Sequence, residues 1–356
     1  MTARDAALTL GLCLAGGLGG WLANRFHMPL PWMMGSLLAS ALLVALFQNS
    51  LLAGYRFPMR VRTGFVALIG VMIGTQVSPA LIAQMAALPF TLAGIVLFVF
   101  AAHMGNYVIF RRLGGHSRAT AFYAGTPGGL MESLLMGEAA GANVTVLTVQ
   151  QFLRIVLVIS IVPAALSLWL GAPVGSAAGV NMGGPAGPVG MLSLVIIAAV
   201  AAAGLALAQV IHLPASQLIG PLVLSGGLTL SGLVDLHLPQ WLIALAQVVI
   251  GTSLGLRFRG VSAAMLRQAL LLSLASVGFM LALGALLSEA LSKITGIPFL
   301  HLAISFAPGG VTEMSLIALS LAANPALVSL HHVIRILLTV VEMTLMAKVM
   351  RPQEGD

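Results

Sequence analysis

The stretch PGGLMESLLMGEAAGANVTVLTVQQFLRI, residues 127–155, returns 181 residues later as PGGVTEMSLIALSLAANPALVSLHHVIRI, residues 308–336. Nine of the 29 positions are identical, among them Pro127/Pro308, Gly128/Gly309, Gly129/Gly310, Glu132/Glu313, Asn143/Asn324 and Arg154/Arg335. Leu, Ala and Gly coincide easily in an apolar chain, but two matched charges do not. Weaker anchors keep the same order upstream. Pro29…Gly35-Ser36-Leu37 faces Pro214…Gly220-Pro221-Leu222, and Ile73-Gly74-Thr75 faces Ile250-Gly251-Thr252. The chain reads as an internal duplication.

Composition says what is duplicated. Of 356 residues only 7 % are charged, 59 % are hydrophobic, and the mean hydropathy is +1.07. A soluble domain carries about a quarter charged residues, so a water-facing surface cannot be built from this chain. Its 40 Gly and 17 Pro suit transmembrane helices, which tolerate both. Apolar stretches run at about 6–24, 30–47, 63–77, 88–110, 144–170, 189–211, 214–234, 240–256, 268–288 and 325–348. Two more, 119–142 and 298–323, are each broken by a Pro-Gly-Gly. The first apolar stretch belongs to the repeat and is read as a retained helix, not a cleaved leader. The fold class is all-α and polytopic: a first membrane repeat over 1–170, a Gly/Pro-rich linker over 171–190, a second repeat over 191–350 and a tail over 351–356.

Charge placement sets the expected topology. If all twelve stretches cross, Arg56, Arg60, Arg62, Arg111, Arg112 and Arg118 lie on one side and Arg257, Arg259 and Arg267 on the other. That violates the positive-inside rule. If the two Pro-Gly-Gly segments instead leave on the side they entered, these nine, with Arg4, Lys348 and Arg351, all fall inside. Only Arg25 and Lys293 then fall outside. Each repeat then has about five crossings plus one broken, re-entrant or discontinuous helix. The odd number makes the repeats inverted, puts both termini in the cytoplasm and leaves the uncharged linker outside. Inverted repeats with interrupted helices are typical of secondary transporters.

The breaks carry the candidate chemistry. Thr126-Pro127-Gly128-Gly129 and Ala307-Pro308-Gly309-Gly310 interrupt helix hydrogen bonding and free backbone groups at the start of the next helix. In a bilayer such groups survive only where buried or facing a watery cavity, and a helix N-terminus there suits an anion. The alternative is a kink that merely packs two helices. Glu132 and Glu313 fall in the first turn after each break, so they cap their own helix or take up a coupling ion. Asn143 and Asn324 join them as ion-coupling candidates. Arg154 and Arg335 stand 11 residues after the matched asparagines, about 16 Å along a helix, near mid-membrane. They either pair with Glu132 and Glu313 or offer a guanidinium fork to an oxyanion. Gln151 and His332 share the Arg face, and with Thr126, Gly128, Gly129, Gly309, Gly310 and Thr312 they complete the expected substrate site. The other histidines, including His103, fall mostly near expected helix ends.

No cofactor is expected. The single Cys13 excludes a disulfide framework or thiolate metal site, His331-His332 has no spaced third ligand, and there is no Walker lysine motif or H-E-x-x-H. No stretch is long enough for a nucleic-acid-binding module. LPWMMGSLLAS (30–40), GTPGGLMESLLMGEAAGANVTVLTVQQFLRI (125–155), LPASQLIGPLVLSGGL (213–228) and FAPGGVTEMSLIALSLAANPALVSLHHVIRILL (306–338) resemble the AbrB-family membrane proteins. The resemblance spans nearly the whole chain. It implies a duplicated bacterial inner-membrane protein of a family that carries the labels regulator and ammonia monooxygenase. The layout is also similar to elevator-type carriers with two hairpins, which are often homodimers, as an architectural analogy. The expected function is a secondary transporter for a small anionic or zwitterionic solute, coupled to H⁺ or Na⁺. It would work by moving one helix bundle against the other. A membrane-embedded regulator and a membrane monooxygenase are the alternatives, the second requiring a metal cluster that the sequence does not offer.

Overall fold

The computed structural model describes residues 2–28, 30–77, 87–171, 174, 190–213, 215–234, 236 and 238–321, together with 323–350. Most of the 171–190 linker and the whole 351–356 tail lie outside the described residues. Within the described residues the fold is helical and contains no strand.

The first half supplies α1 (Ala3–Arg25), α2 (Pro31–Phe47), α3 (Met59–Gly74), α4 (Leu88–Val108, ending in a π-turn over Ile109–Leu113), α5 (Arg118–Ala124), α6 (Leu130–Ala139) and α7 (Val144–Leu170). The second half answers with α8 (Met191–Val210), α9 (Ser216–Leu230), α10 (Gln240–Gly255), α11 (Ala263–Thr295), α12 (Phe299–Phe306), α13 (Val311–Ser320) and α14 (Pro325–Met350). Seven of these are long and apolar enough to cross a membrane: α1, α4, α7, α8, α10, α11 and α14. α2, α9 and α13 are apolar too but only 17, 15 and 10 residues long. α11 runs well past the expected 268–288. Ser262 caps its start by accepting from Met265 N, and Gly296, at φ 73°, ends it in the left-handed conformation that glycine adopts without strain.

The helices sort into two compact units, each drawing on both halves of the chain. The first holds Met1–Ile82, Pro163–Gly260 and Ser315–Ala326, and the second Ala83–Val162, Val261–Met314 and Leu327–Asp356. The division of α7 falls at Pro163, where a helix-interior proline removes a backbone bond.

In the first unit α1 packs on α2 and α10, and α8 on α9 and α3. α2 in turn lies on α10, and α9 on α3. Exchanging each helix for its counterpart leaves this set of pairings unchanged. The close approaches match residue by residue. A Cβ on Gly35 would strike the Gly19 carbonyl, and one on Gly220 would strike that of Gly204. Likewise Gly70 abuts Leu218 and Gly74 abuts Leu222, while Gly251 abuts Met33 and Gly255 abuts Leu37. These pairs place Gly70 opposite Gly251 and Gly74 opposite Gly255. The sequence anchor Ile73-Gly74-Thr75 over Ile250-Gly251-Thr252 is therefore one helical turn out of register. The non-glycine residues with positive φ agree: among the described residues they are His27 and Leu30, then His212 and Ala215, each pair 185 residues apart.

Small residues let membrane helices approach closely, so filling one such contact is costly. Gly35→Ala is expected to destabilise the protein by about 1–3 kcal/mol, the usual range for overpacking. Gly17→Ala, which meets nothing within 4 Å, should leave the thermal midpoint unchanged. Equal midpoints for the two variants would contradict the α1–α2 packing.

In the second unit α4 and α11 run antiparallel. Gly94 faces Leu291, Gly105 faces Phe279 and Gly114 faces Leu272. Two clefts mark the charged ends. One, about 430 Å³ in the first unit, is lined by Tyr55, Arg56, Arg62, Arg257 and Arg259, among others. Arg4 belongs to the same end, its Nη2 donating to Leu51 O at 3.2 Å. The other, about 490 Å³ in the second unit, joins Leu113, Gly114 and His116 after α4 to Met265 and Gln268 at the start of α11.

Candidate functional site

Both breaks lie in the second unit and are built alike. α5 ends at Ala124, five residues carry the chain across Pro127, and α6 starts at Leu130. α12 ends at Phe306, Pro308 follows, and α13 starts at Val311. Each break exposes two opposite charges: unpaired carbonyls at the C-terminus of one short helix and unpaired N–H groups at the N-terminus of the next.

Arginines meet the carbonyls. Arg154 Nη1 donates to Thr126 O at 2.6 Å. Arg335 Nη1 donates to Ala307 O at 2.5 Å, and its Nη2 to Gly309 O at 2.7 Å. The residues that share the Arg face repeat the symmetry. Gln151 Nε2 donates to Tyr123 O at 3.1 Å, and the matching His332 Nε2 donates to Ile304 O at 3.1 Å. In the first half the network extends further. Gln151 Nε2 reaches Thr126 Oγ1 at 2.6 Å, and that hydroxyl meets Ser133 Oγ at 2.6 Å.

Carboxylates turn to the N–H ends. Glu132 Oε2 lies 3.4 Å from where a Cβ on Gly129 would be, and Glu313 Oε2 occupies the space of a Cβ on Gly310. Each folds back beside the last glycine of its own break. The last glycine of each break is thus required for a different reason. Gly129 sits at φ 62°, in the left-handed region, whereas Gly310 makes room for the Glu313 carboxylate.

The salt bridges Glu132–Arg154 and Glu313–Arg335 weighed from sequence do not form. Among the described residues neither arginine pairs with a carboxylate: the guanidiniums donate to the break carbonyls, and each glutamate lies beside the last glycine of its own break. Both guanidiniums are nonetheless deeply buried, Arg154 at 7 % exposure and Arg335 at 1 %, and they lie close enough to repel each other. Both Nε atoms lack a partner, as do Gln151 Oε1, His331 Nε2 and His332 Nδ1. Arg154 also leaves Nη2 uncommitted, while Arg335 uses both Nη groups.

Of the remaining expected residues, Thr312 is buried in the first turn of α13 and Gly128 packs under Ile336 and Thr339. Asn143 stands apart, exposed, capping α7 by accepting from Val146 N at 3.1 Å. Asn324 is buried just before α14 and belongs to the first unit.

One pair escaped the sequence reading. His103 is not near a helix end but buried at 1 % exposure within α4. Its Nδ1 lies 2.9 Å from Oε2 of Glu342 on α14. Each is an ionisable residue inside a long apolar stretch, a signal that could have singled them out.

Comparison with known proteins places these residues in a family. A family model described as "Transition state regulatory protein AbrB" matches residues 42–351. The chain is 26 % identical over 314 residues to a protein of Escherichia coli (strain K12) named "Putative regulator AbrB", covering 84 % of this chain and 88 % of that one. It is also 24 % identical over 345 residues to "Uncharacterized protein YhjN" of Bacillus subtilis (strain 168), covering 90 % of this chain and 88 % of the other.

Proposed function

Since this chain belongs to the AbrB family, we propose that it is a secondary transporter, not an enzyme, carrying a small anionic or zwitterionic solute across the bacterial inner membrane. The reading rests on one observation above all: two buried arginines at paired helix breaks, with no carboxylate to neutralise them among the described residues. A buried charge is costly unless it is paired. The break carbonyls satisfy only part of each guanidinium, and a solute carboxylate or other oxyanion would satisfy the rest. Arg154, with Nη2 and Nε uncommitted, is the solute-binding arginine, and Arg335 is the one that holds its break together.

Several features support inverted repeats and alternating access. α4 and α11, counterparts in the two halves, run antiparallel. Arg56 and Arg62 share a cleft with Arg257 and Arg259, which suits breaks that leave on the side they entered. The loop after α4 shares another with the start of α11. Both breaks, Arg154 and Arg335 lie in one unit, so the site would travel as a body when that unit moves. Transport is driven by H⁺ or Na⁺ in this account, and the carrier works as a homodimer with both termini cytoplasmic.

A regulatory reading is favoured by the names of the family model and one relative. Carriage of a metabolite would alter gene expression indirectly. A thermal-shift screen in detergent separates the two. Organic acids, amino acids and inorganic anions are tested on the wild type and Arg154→Ala, since a ligand stabilises the state it binds. The expected result is a rise in midpoint with one chemical class, absent in Arg154→Ala. A folded wild type that responds to no solute would favour a protein partner instead.

A further inference from the structure

We propose that His103 and Glu342 together form the proton-binding site of this carrier, which makes the coupling ion H⁺; the inference rests on the transport reading above. Four observations support it. His103 Nε2 lies 2.9 Å from the Phe122 carbonyl, and a carbonyl only accepts, so Nε2 carries a hydrogen. Nδ1 and Glu342 Oε2 are 2.9 Å apart, an ion-pair distance, although the two atoms are not aligned as a hydrogen bond; two bare acceptors would repel at that range, so the pair holds one further proton. With that proton the pair has no net charge, either as imidazolium and carboxylate or as neutral imidazole and carboxylic acid. When it leaves, a neutral imidazole faces a bare carboxylate and the pair carries one negative charge.

The second observation is burial. The two side chains are exposed by only 1 % and 10 %. Phe122 stacks beside the imidazole with ring centroids 4.3 Å apart. Both groups are therefore held away from bulk water, against an aromatic ring.

Third, the pair is tied to the solute site. Arg335, Thr339 and Glu342 follow one another at four and three residues on α14, so they share one helical face. Arg335 and Glu342 are two turns apart, about 10 Å along the axis. Thr339 Oγ1 lies 3.5 Å from where a Cβ on Gly128 would sit, so this face runs along the first break. Met343, beside Glu342, lies 3.7 Å from Ser133 Oγ, itself bonded to Thr126. A charge change at Glu342 is felt where the solute binds.

Fourth, the pair breaks the duplication that the rest of the site obeys. At the 181-residue offset Glu342 faces Ile161 and His103 faces Gly284. One proton site per chain follows, where the breaks and arginines come in twos.

Tyr107 on α4 and Tyr123 on α5 lie in or against the buried cluster of Phe122 and Met343; the other ionisable groups on these elements are Arg111 and Arg112 in the π-turn after α4, Arg118 on α5, Glu132 and Glu138 on α6, and His331, His332, Arg335 and Lys348 on α14. α11, packed on α4, carries Arg267 at its exposed start and the exposed pair Glu289–Lys293 near its end. None of these makes an ion pair with His103 or Glu342 among the described residues. Na⁺ fits the pair poorly, since hard cations favour a cage of several oxygens and this site offers an imidazole and one carboxylate.

Infrared titration of the full chain in lipid, with H⁺ or D⁺ as the probe, tests the proposal without knowledge of the solute. The wild type should show a band of the protonated pair, carboxylic acid or imidazolium, that gives way to the deprotonated form as pH rises, in Na⁺ and K⁺ buffers alike. Glu342→Gln should lose the band, and His103→Gln should move its midpoint by a pH unit or more, tenfold in proton affinity. If Glu342→Gln does not fold, Glu342→Asp keeps the acid and should shift the band's titration. A titrating spectrum that is the same in these variants as in the wild type overturns the proposal. A pair that titrates as described in a protein that moves no solute into vesicles would leave the proton site standing and defeat the transport reading.

Discussion

Replacing Arg335 by Ala is expected to lower stability by about 2–6 kcal/mol, while the same change at Arg154 costs about 1–3 kcal/mol and removes anion binding instead. The difference follows from what each guanidinium does. A buried acceptor left without its donor costs about 1–3 kcal/mol. Arg335 serves two such acceptors, Ala307 O and Gly309 O, whereas Arg154 serves one, Thr126 O. Thr126 O also lies 3.4 Å from Gln151 Nε2, so its loss is partly covered. Arg335→Lys should fall between wild type and Arg335→Ala, because a single ammonium cannot reproduce the planar fork that spans both carbonyls. Denaturation midpoints of the three variants, with anion-induced shifts measured on each, check the division of labour. Equal destabilisation by Arg154→Ala and Arg335→Ala, with anion binding retained in both, would show that the arginines are interchangeable props.

The second large effect is all-or-none. In a Cys13→Ser background, cysteines at Arg60, Arg267 and Lys293 should react with a membrane-impermeant maleimide according to side. Arg60→Cys and Arg267→Cys should label together from the cytoplasmic face, and Lys293→Cys only from the opposite face. All three positions are exposed, so access by the reagent depends on the membrane and not on packing. The expectation comes from the positive-inside rule and from the two clefts that bring together chain segments of both halves. Labelling of Arg60→Cys and Arg267→Cys from opposite faces would mean that a Pro-Gly-Gly segment crosses the membrane fully.

What the sequence made legible was whatever the duplication repeats. Pro127 and Pro308 announce the breaks because proline cannot continue a helix, and matched arginines stand out against an apolar background. Less was legible where partners are decided by distance. Nothing in the spacing of Glu132 and Arg154 says that the carboxylate lies beside the last glycine of its own break and that the guanidinium donates to a carbonyl. That choice is settled only in the folded chain. The register between α3 and α10 was misread by a turn because Ile-Gly-Thr recurs by chance in two glycine-rich helices. The assembly of each unit from both halves rests on long-range pairings such as Gly74 with Leu222, which no local pattern encodes. His103 and Glu342 were missed for the opposite reason. They break the repeat, so a search for matched residues passes over them.

The central claim is that a small anion crosses the membrane by way of Arg154 between the paired breaks. Uptake into proteoliposomes tests it most directly. A pool of small carboxylates, amino acids and inorganic anions is offered outside, and the vesicle contents are read by mass spectrometry, with protein-free vesicles as the baseline. The account predicts that one chemical class accumulates with the wild type and stays at baseline with folded Arg154→Ala. Uptake unchanged in Arg154→Ala, or a folded wild type that moves nothing above baseline, would contradict it.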